Sequence, residues 1–74
     1  MDYIQGKLYR VHKKNRFGRY VGPKRVRPGE ILILLEADSG QGNATLFLKV
    51  VHGDCVRELS DSISAVPDWL EGPL

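Results

Sequence analysis

Residues 28–35 read PGEILILL, and this stretch decides the fold class of the chain. Pro28 and Gly29 are a turn signal. The apolar run that follows has the length of one strand and contains two isoleucines, whose branched side chains favour strands. A run this short cannot span a bilayer. The stretch therefore predicts a tight turn that leads into a buried strand.

Further short strands are predicted on both sides of this stretch. Residues 8–12 alternate between the two faces of a strand. In residues 45–52, Leu46, Leu48 and Val50 occupy every second position and so lie on one face. The sequence HGD at residues 52–54 predicts a tight hairpin turn into a short strand over residues 55–59.

The end of the chain is predicted to hold the smallest elements. Residues 60–62, SDS, predict a single helical turn, because such side chains cap local backbone amides. Residues 63–66 predict a last short strand. No segment sustains the apolar period of a helix, so the pattern as a whole predicts an all-β domain.

The order of these elements resembles the SH3 domain family. The matching segments are residues 8–11 for the opening strand, 13–27 for the long first loop, 28–35 for the turn and second strand, 46–51 for the central strand, and 59–63 for the one-turn helix and final strand.

The resemblance implies an all-β, five-stranded SH3-like barrel over residues 1–66, with a long basic first loop. A short C-terminal tail, residues 67–74, then packs on the barrel or at an interface. The family pattern also implies a core formed by Tyr9, Val11, Val26, Leu32, Leu34, Leu48, Val50 and Leu59.

The chain departs from the SH3 family where that family grips proline-rich peptides. The family's groove tryptophan corresponds to Leu46 or Phe47, its proline to Ser60 and its tyrosine to Ile63. Without aromatic walls a polyproline helix has no surface on which to stack, so we expect no binding of that kind. The pattern is similar to small barrels of ribosomal, transcription and phage-encoded proteins, which favours a cytoplasmic bacterial or phage accessory protein.

Chain length and reactive residues argue against an enzyme. Seventy-four residues make one thin-cored domain with little room for a deep catalytic pocket. Cys55 is the only cysteine, and together with His12 and His52 it lacks the spacing of a metal site. We therefore predict a non-enzymatic binding module that has no cofactor, no metal and no membrane segment.

Charge is distributed unevenly along the chain. Residues 1–29 contain nine Lys and Arg side chains against one acid, whereas residues 30–74 contain two against eight. One interpretation is that the two halves pair with each other in the fold. The other is that the basic half faces a polyanion.

The basic loop, residues 13–27, is the segment with the clearest chemical character. Its cations suit phosphate contacts, and the aromatic side chains between them suit stacking on exposed bases. We predict binding to RNA or single-stranded DNA, because no helix is available to read a duplex groove. The candidate contacts are Lys13, Lys14, Arg16, Phe17, Arg19, Tyr20, Lys24, Arg25 and Arg27.

Two alternatives stay open for the basic loop. It docks on an acidic protein surface, which would make the chain a protein-interaction or inhibitor module. Otherwise it is a solvated loop without a direct role, in which Tyr20 and Val26 simply belong to the core.

Strand alternation leaves an apolar stripe outside the predicted barrel. If Leu32 and Leu34 face the core, Ile33 faces outward. Such a stripe in water is normally covered. We expect Trp69 and Leu70 to fold back over it near Ile33. The alternative is that Ile33, Trp69 and Leu70 form an interface, as in a homodimer.

Overall fold

The computed structural model describes residues 3–14, 17–40, 42 and 44–74. Five antiparallel strands form one sheet in the order β4-β3-β2-β1-β5, which confirms the all-β class. In this part of the chain no helix is long and apolar enough to cross a membrane. The elements are β1 (Leu8–Val11), β2 (Ile31–Ser39), β3 (Thr45–His52), β4 (Cys55–Ser62), α1 (Val66–Trp69) and β5 (Leu70–Glu71).

The two edges of the sheet are β4 and β5. Within the described ranges these strands do not pair with each other, so the sheet is not closed. The chain runs as a meander from β1 to β4 and then returns, so that β5 lies beside β1.

A tight turn joins β3 to β4, as the sequence predicted. His52 pairs with Cys55, and Gly53 between them has a φ of 65°. Glycine adopts this left-handed conformation without a steric penalty. The strand that follows is longer than expected, because β4 pairs with β3 up to Ser62, which lies opposite Thr45.

The strand β2 also extends beyond its apolar run. Its pairing with β3 shifts register between Leu34 and Glu36, which marks a bulge at Leu35. A bulge bends a strand and increases its twist. The bend lets one strand pair with β1 at its start and with β3 along its length.

The inner face of the sheet forms the core, and the side chains predicted to face inward do so. Each of them is at most 3% exposed, and the packing of alternate strand residues on one side accounts for this. The confirmed positions are Tyr9, Val11, Val26, Leu32, Leu34, Leu48, Val50 and Leu59.

The elements predicted after residue 59 are wrong. Residues 60–62 belong to β4, and residues 63–65 form turns rather than a strand. The helical turn is α1, which starts with a proline in its first positions. Proline suits that place because its missing N–H would have no partner there.

Residues of the predicted tail complete the sheet and the core. Leu70 pairs with Val11, and Trp69 and Leu70 are 0% and 4% exposed within the core cluster. The indole Nε1 of Trp69 donates a hydrogen bond of 3.0 Å to Asp61 Oδ2. The prediction that these side chains cover Ile33 is wrong, since they pack on the inner face.

Ile33 stays on the outer face and is 38% exposed. It is therefore the one member of the predicted interface set that the described structure presents to solvent, because Trp69 and Leu70 are enclosed by the chain itself. Position 63, which corresponds to the groove tyrosine of the SH3 family, is an isoleucine, and the aromatic residue of the helical turn is Trp69. Trp69 is buried and therefore does not line a surface groove.

Candidate nucleic-acid interface

The basic loop is closed at its base by backbone hydrogen bonds. Val11 N–H donates to Glu30 O at 2.8 Å, and Gly29 N–H donates to Val11 O at 2.7 Å. Gly29 has a φ of 90°, which other residues rarely adopt. The two ends of the loop are therefore fixed side by side on the sheet.

The loop is folded around Tyr20. The Tyr20 hydroxyl lies 2.9 Å from Pro23 O and 2.8 Å from Val26 O, and its single hydrogen can be donated to either carbonyl. The ring is half-buried against the core, and Val26 is 1% exposed. A Cβ on Gly22 would come within 2.5 Å of the Tyr20 hydroxyl oxygen, so only glycine fits there.

Burial also changes the chemistry assigned to Tyr20. Burial, and secondly the negative charge of Glu30, raise the pKa of the Tyr20 hydroxyl above its ordinary value. The ring and hydroxyl are both engaged within the loop, so stacking on a base is no longer a role that we assign to Tyr20. Phe17 is the exposed aromatic side chain of the loop, at 72%.

The described cations of the basic loop point to solvent. Lys13, Lys14, Lys24, Arg25 and Arg27 are all exposed, as is Arg19. Arg16 lies outside the described residues.

The short contacts between basic and acidic side chains that the structure describes involve other residues. Arg10 and His12 both approach Glu71, at 3.7 and 3.5 Å, and His52 approaches Glu30 at 2.7 Å. Within the residues that the structure describes, no ion pair within 4.0 Å involves Lys13, Lys14, Lys24, Arg25 or Arg27. The idea that the two halves of the chain pair with each other therefore does not account for these side chains.

A polar chain that sequence reasoning missed lies beside the base of the loop. His52 Nε2 is 2.7 Å from Glu30 Oε2, and Arg57 Nε donates to His52 Nδ1 at 2.9 Å. The other oxygen of Glu30 accepts the backbone N–H of Arg27. The hydrogen bond from His52, and then that from Arg27, hold the pKa of Glu30 below its ordinary value.

The signal for this polar chain was present in the strand alternation. Glu30 continues the inward series of Leu32, and His52 continues that of Val50. Arg57 is the cross-strand partner of Val50 and so lies on the same side of the sheet. Alternation alone could have placed the three polar side chains together at one end of the core.

The outer face of the sheet carries a row of charged side chains. Glu36 and Glu58 are the cross-strand neighbours of Lys49, and this row crosses β2, β3 and β4. A groove of about 440 Å³ runs beside it, and its lining also includes Arg25 and the half-exposed Phe47. Arg25 therefore shares this groove with acidic side chains of the sheet.

The cysteine and histidine side chains do not assemble into a reactive site. Cys55 is exposed, and its hydrogen bond to Asp54 raises the pKa of the thiol, which disfavours the nucleophilic thiolate. Both ring nitrogens of His52 are already engaged by Glu30 and Arg57. Across the described residues, no group of three His, Cys, Asp or Glu side chains could hold a metal ion.

Comparison with known proteins adds no relative. No family model, no curated protein and no solved structure matches this chain. The functional argument therefore rests on the geometry of the basic loop and of the sheet that holds it.

Proposed function

We propose that this chain is a small non-enzymatic module that binds RNA or single-stranded DNA through the basic loop. One observation carries the proposal. The side chains of Lys13, Lys14, Lys24, Arg25 and Arg27 are exposed, and in the described structure none of these side chains forms an ion pair within 4.0 Å. Cations that stay unpaired release counterions when they meet phosphates, and this release drives binding to nucleic acid.

The way the loop is held supports the same proposal. Its base is fixed by the hydrogen bonds between Val11, Gly29 and Glu30, and its interior is fixed by Tyr20. A surface that is ordered before binding loses less conformational entropy on binding than a flexible one. Phe17 adds an exposed ring on which an unpaired base can stack.

The proposal includes an SH3-like barrel as the scaffold. Two features favour it: a single helical turn precedes the last strand, and that strand returns to pair with β1. A solution structure would test the scaffold, and contacts between the side chains of β5 and those of β1 to β4 would support a barrel. A circular dichroism spectrum dominated by helix would exclude it.

The function is tested by fluorescence anisotropy with a labelled single-stranded oligonucleotide over a range of salt concentrations. We expect the affinity to fall steeply as salt rises. For single strands the slope of log K against log salt is about 0.7 per phosphate contact. The double variant Lys14→Gln/Lys24→Gln should therefore lower the slope by about 1.4.

A matched control removes the same number of positive charges from outside the basic loop. Lys7→Gln/Lys49→Gln also removes two lysines, but Lys7 lies outside the basic loop and Lys49 lies on the outer face of the sheet. We expect this variant to keep the wild-type slope. Equal losses in both doubles, or no salt-sensitive binding by the wild type, would contradict the proposal.

A second candidate function is docking on an acidic protein. The observation in its favour is an apolar row across four strands, formed by the neighbours Leu8, Ile33, Val51 and Val56, since exposed apolar surface is typical of interfaces. Polyglutamate, at the same charge concentration as the oligonucleotide, separates the two candidates. Equal binding to both, with no effect of Phe17→Leu, would favour the protein partner.

A further inference from the structure

Arg57 comes from the acid-rich half of the sequence, yet the fold places it beside the base of the basic loop. It lies on the inner side of β4, opposite Val50, at the end of the core where Glu30 and His52 lie. Glu30 in turn accepts the backbone N–H of Arg27. Arg57 is thus connected to the loop through two side chains and one backbone group.

His52 holds the Arg57 guanidinium in one orientation. Arg57 Nε donates to His52 Nδ1, so that ring nitrogen carries no hydrogen. The ring hydrogen is then on Nε2, from which it is donated to Glu30 Oε2. Because the His52 side chain is only 14% exposed, the ring is enclosed and the direction of its acceptor is fixed.

The hydrogen bond uses one edge of the guanidinium and leaves the other edge available. The two terminal nitrogens of Arg57 form no hydrogen bond or ion pair with any other residue that the structure describes. A planar guanidinium whose terminal donors are available makes paired hydrogen bonds to the oxygens of a phosphate. An arginine fixed at Nε is also preorganised, so little freedom is lost when an anion binds.

Two loop cations lie beside Gly29 and Glu30, at the base of the loop to which Arg57 is connected. The Cε of Lys13 lies 3.9 Å from the position that a Cβ would take on Gly29, so the Lys13 side chain passes over the base of the loop. The backbone N–H of Arg27 donates to the Glu30 carboxylate, and the positive charge of Arg27 contributes to the lowered pKa of Glu30. Glu30 is the acidic group of the polar chain, but its two carboxylate oxygens already accept hydrogen bonds from Arg27 N–H and from His52 Nε2.

We propose that Arg57 contacts a backbone phosphate of the bound nucleic acid and, with Lys13 and Arg27, forms a phosphate site at the base of the basic loop. This inference rests on the proposed function and extends the contact surface beyond the loop itself. His52 is then a positioning residue, because it touches Arg57 and not the phosphate.

The test compares Arg57→Gln with Lys49→Gln in the anisotropy experiment. The two substitutions remove one positive charge each from β4 and β3, but from opposite faces of the sheet. Loss of a hydrogen-bonded charged contact corresponds to roughly a tenfold loss of affinity. We expect that loss, and a salt slope lower by about 0.7, for Arg57→Gln only.

Arg57→Lys tests the geometry of the contact. It keeps the charge but lacks the planar pair of donors, so we expect its affinity to fall as well. If folded Arg57→Gln binds as tightly as Lys49→Gln, the inference is overturned. The proposed function would still stand in that case, provided that Lys14→Gln/Lys24→Gln loses binding.

A titration of the wild-type chain with inorganic pyrophosphate, followed through the arginine Nε–H signals by NMR, does not depend on a variant that folds. We expect the Arg57 signal to shift and to saturate. No shift of the Arg57 signal would overturn the inference. If the wild type binds no oligonucleotide but the Arg57 signal shifts, the proposed function fails while the anion site at Arg57 remains.

Discussion

The basic loop and the outer face of the sheet are both exposed, yet their charges are arranged differently. On the outer face Lys49 lies between Glu36 and Glu58 in one cross-strand row, so opposite charges alternate. The loop contains no acidic residue at all. Arg25 lines the groove that also contains Glu36, Asp38 and Glu58.

The difference supports the proposal that the basic loop is the surface that meets another molecule. Alternating charges in a strand row stabilise the sheet slightly and leave little net field. A loop of like charges repels itself, so something neutral must hold it in place. Here that role falls to Tyr20 and to the buried Val26, which fix the loop without cancelling its charge.

The largest expected effect concerns the core that supports both regions. Trp69→Ala removes a fully buried side chain and should cost about 3–5 kcal/mol, which in a chain this small could prevent folding. Urea unfolding followed by circular dichroism measures the loss. Phe47→Ala, on the outer face at 50% exposure, is the control and should cost far less. Equal costs would mean that Trp69 is not part of the core.

A smaller effect is expected within the loop. Tyr20→Phe keeps the ring but removes the hydroxyl that bonds Pro23 O and Val26 O, which should cost about 1 kcal/mol. Amide hydrogen exchange should rise across residues 20–26 and stay unchanged in β3. Affinity for the oligonucleotide should fall modestly, because the loop would be less ordered before binding. Unchanged exchange in the loop would show that Tyr20 does not hold it.

Glu30 links the basic loop to the inner side of the sheet, and its effect on stability should depend on pH. Its folded-state pKa is below the ordinary value, so its stabilising contribution is present above the unfolded pKa. That contribution is lost as the pH falls below the unfolded pKa and through the lower folded pKa. Urea midpoints measured from pH 7 to pH 2 should therefore fall less for Glu30→Gln than for the wild type. Parallel curves would argue against the hydrogen bonds to His52 and Arg27.

The smallest effect is expected on the outer face. Lys49→Gln breaks the alternating row between Glu36 and Glu58, and surface changes of this kind stay within about 0.5 kcal/mol. Thermal unfolding at low and at high salt measures the change, which should shrink at high salt. A larger loss that salt does not reduce would show that Lys49 has a packing role.

Local patterns in the sequence predicted the strands up to residue 59 and the residues that they bury. A strand alternates its side chains with a period of two, so Leu32, Leu34, Leu48 and Val50 could be assigned to the core from spacing alone. The hairpin at residues 52–54 followed from the conformational freedom of Gly53. These features depend on neighbours in the chain, and the chain therefore encodes them directly.

Beyond residue 59 the sequence was not sufficient, because four residues of helix and two of strand are too short to show a period. Trp69 and Leu70 became core residues only because β5 pairs with β1, at the other end of the chain. Tertiary structure likewise decided that Arg57 meets His52 and that His52 meets Glu30. It also decided that the side chains of Lys13, Lys14, Lys24, Arg25 and Arg27 form no ion pair with another described residue. Sequence determines how many charges a chain carries, whereas the folded backbone determines which of them come within reach of each other.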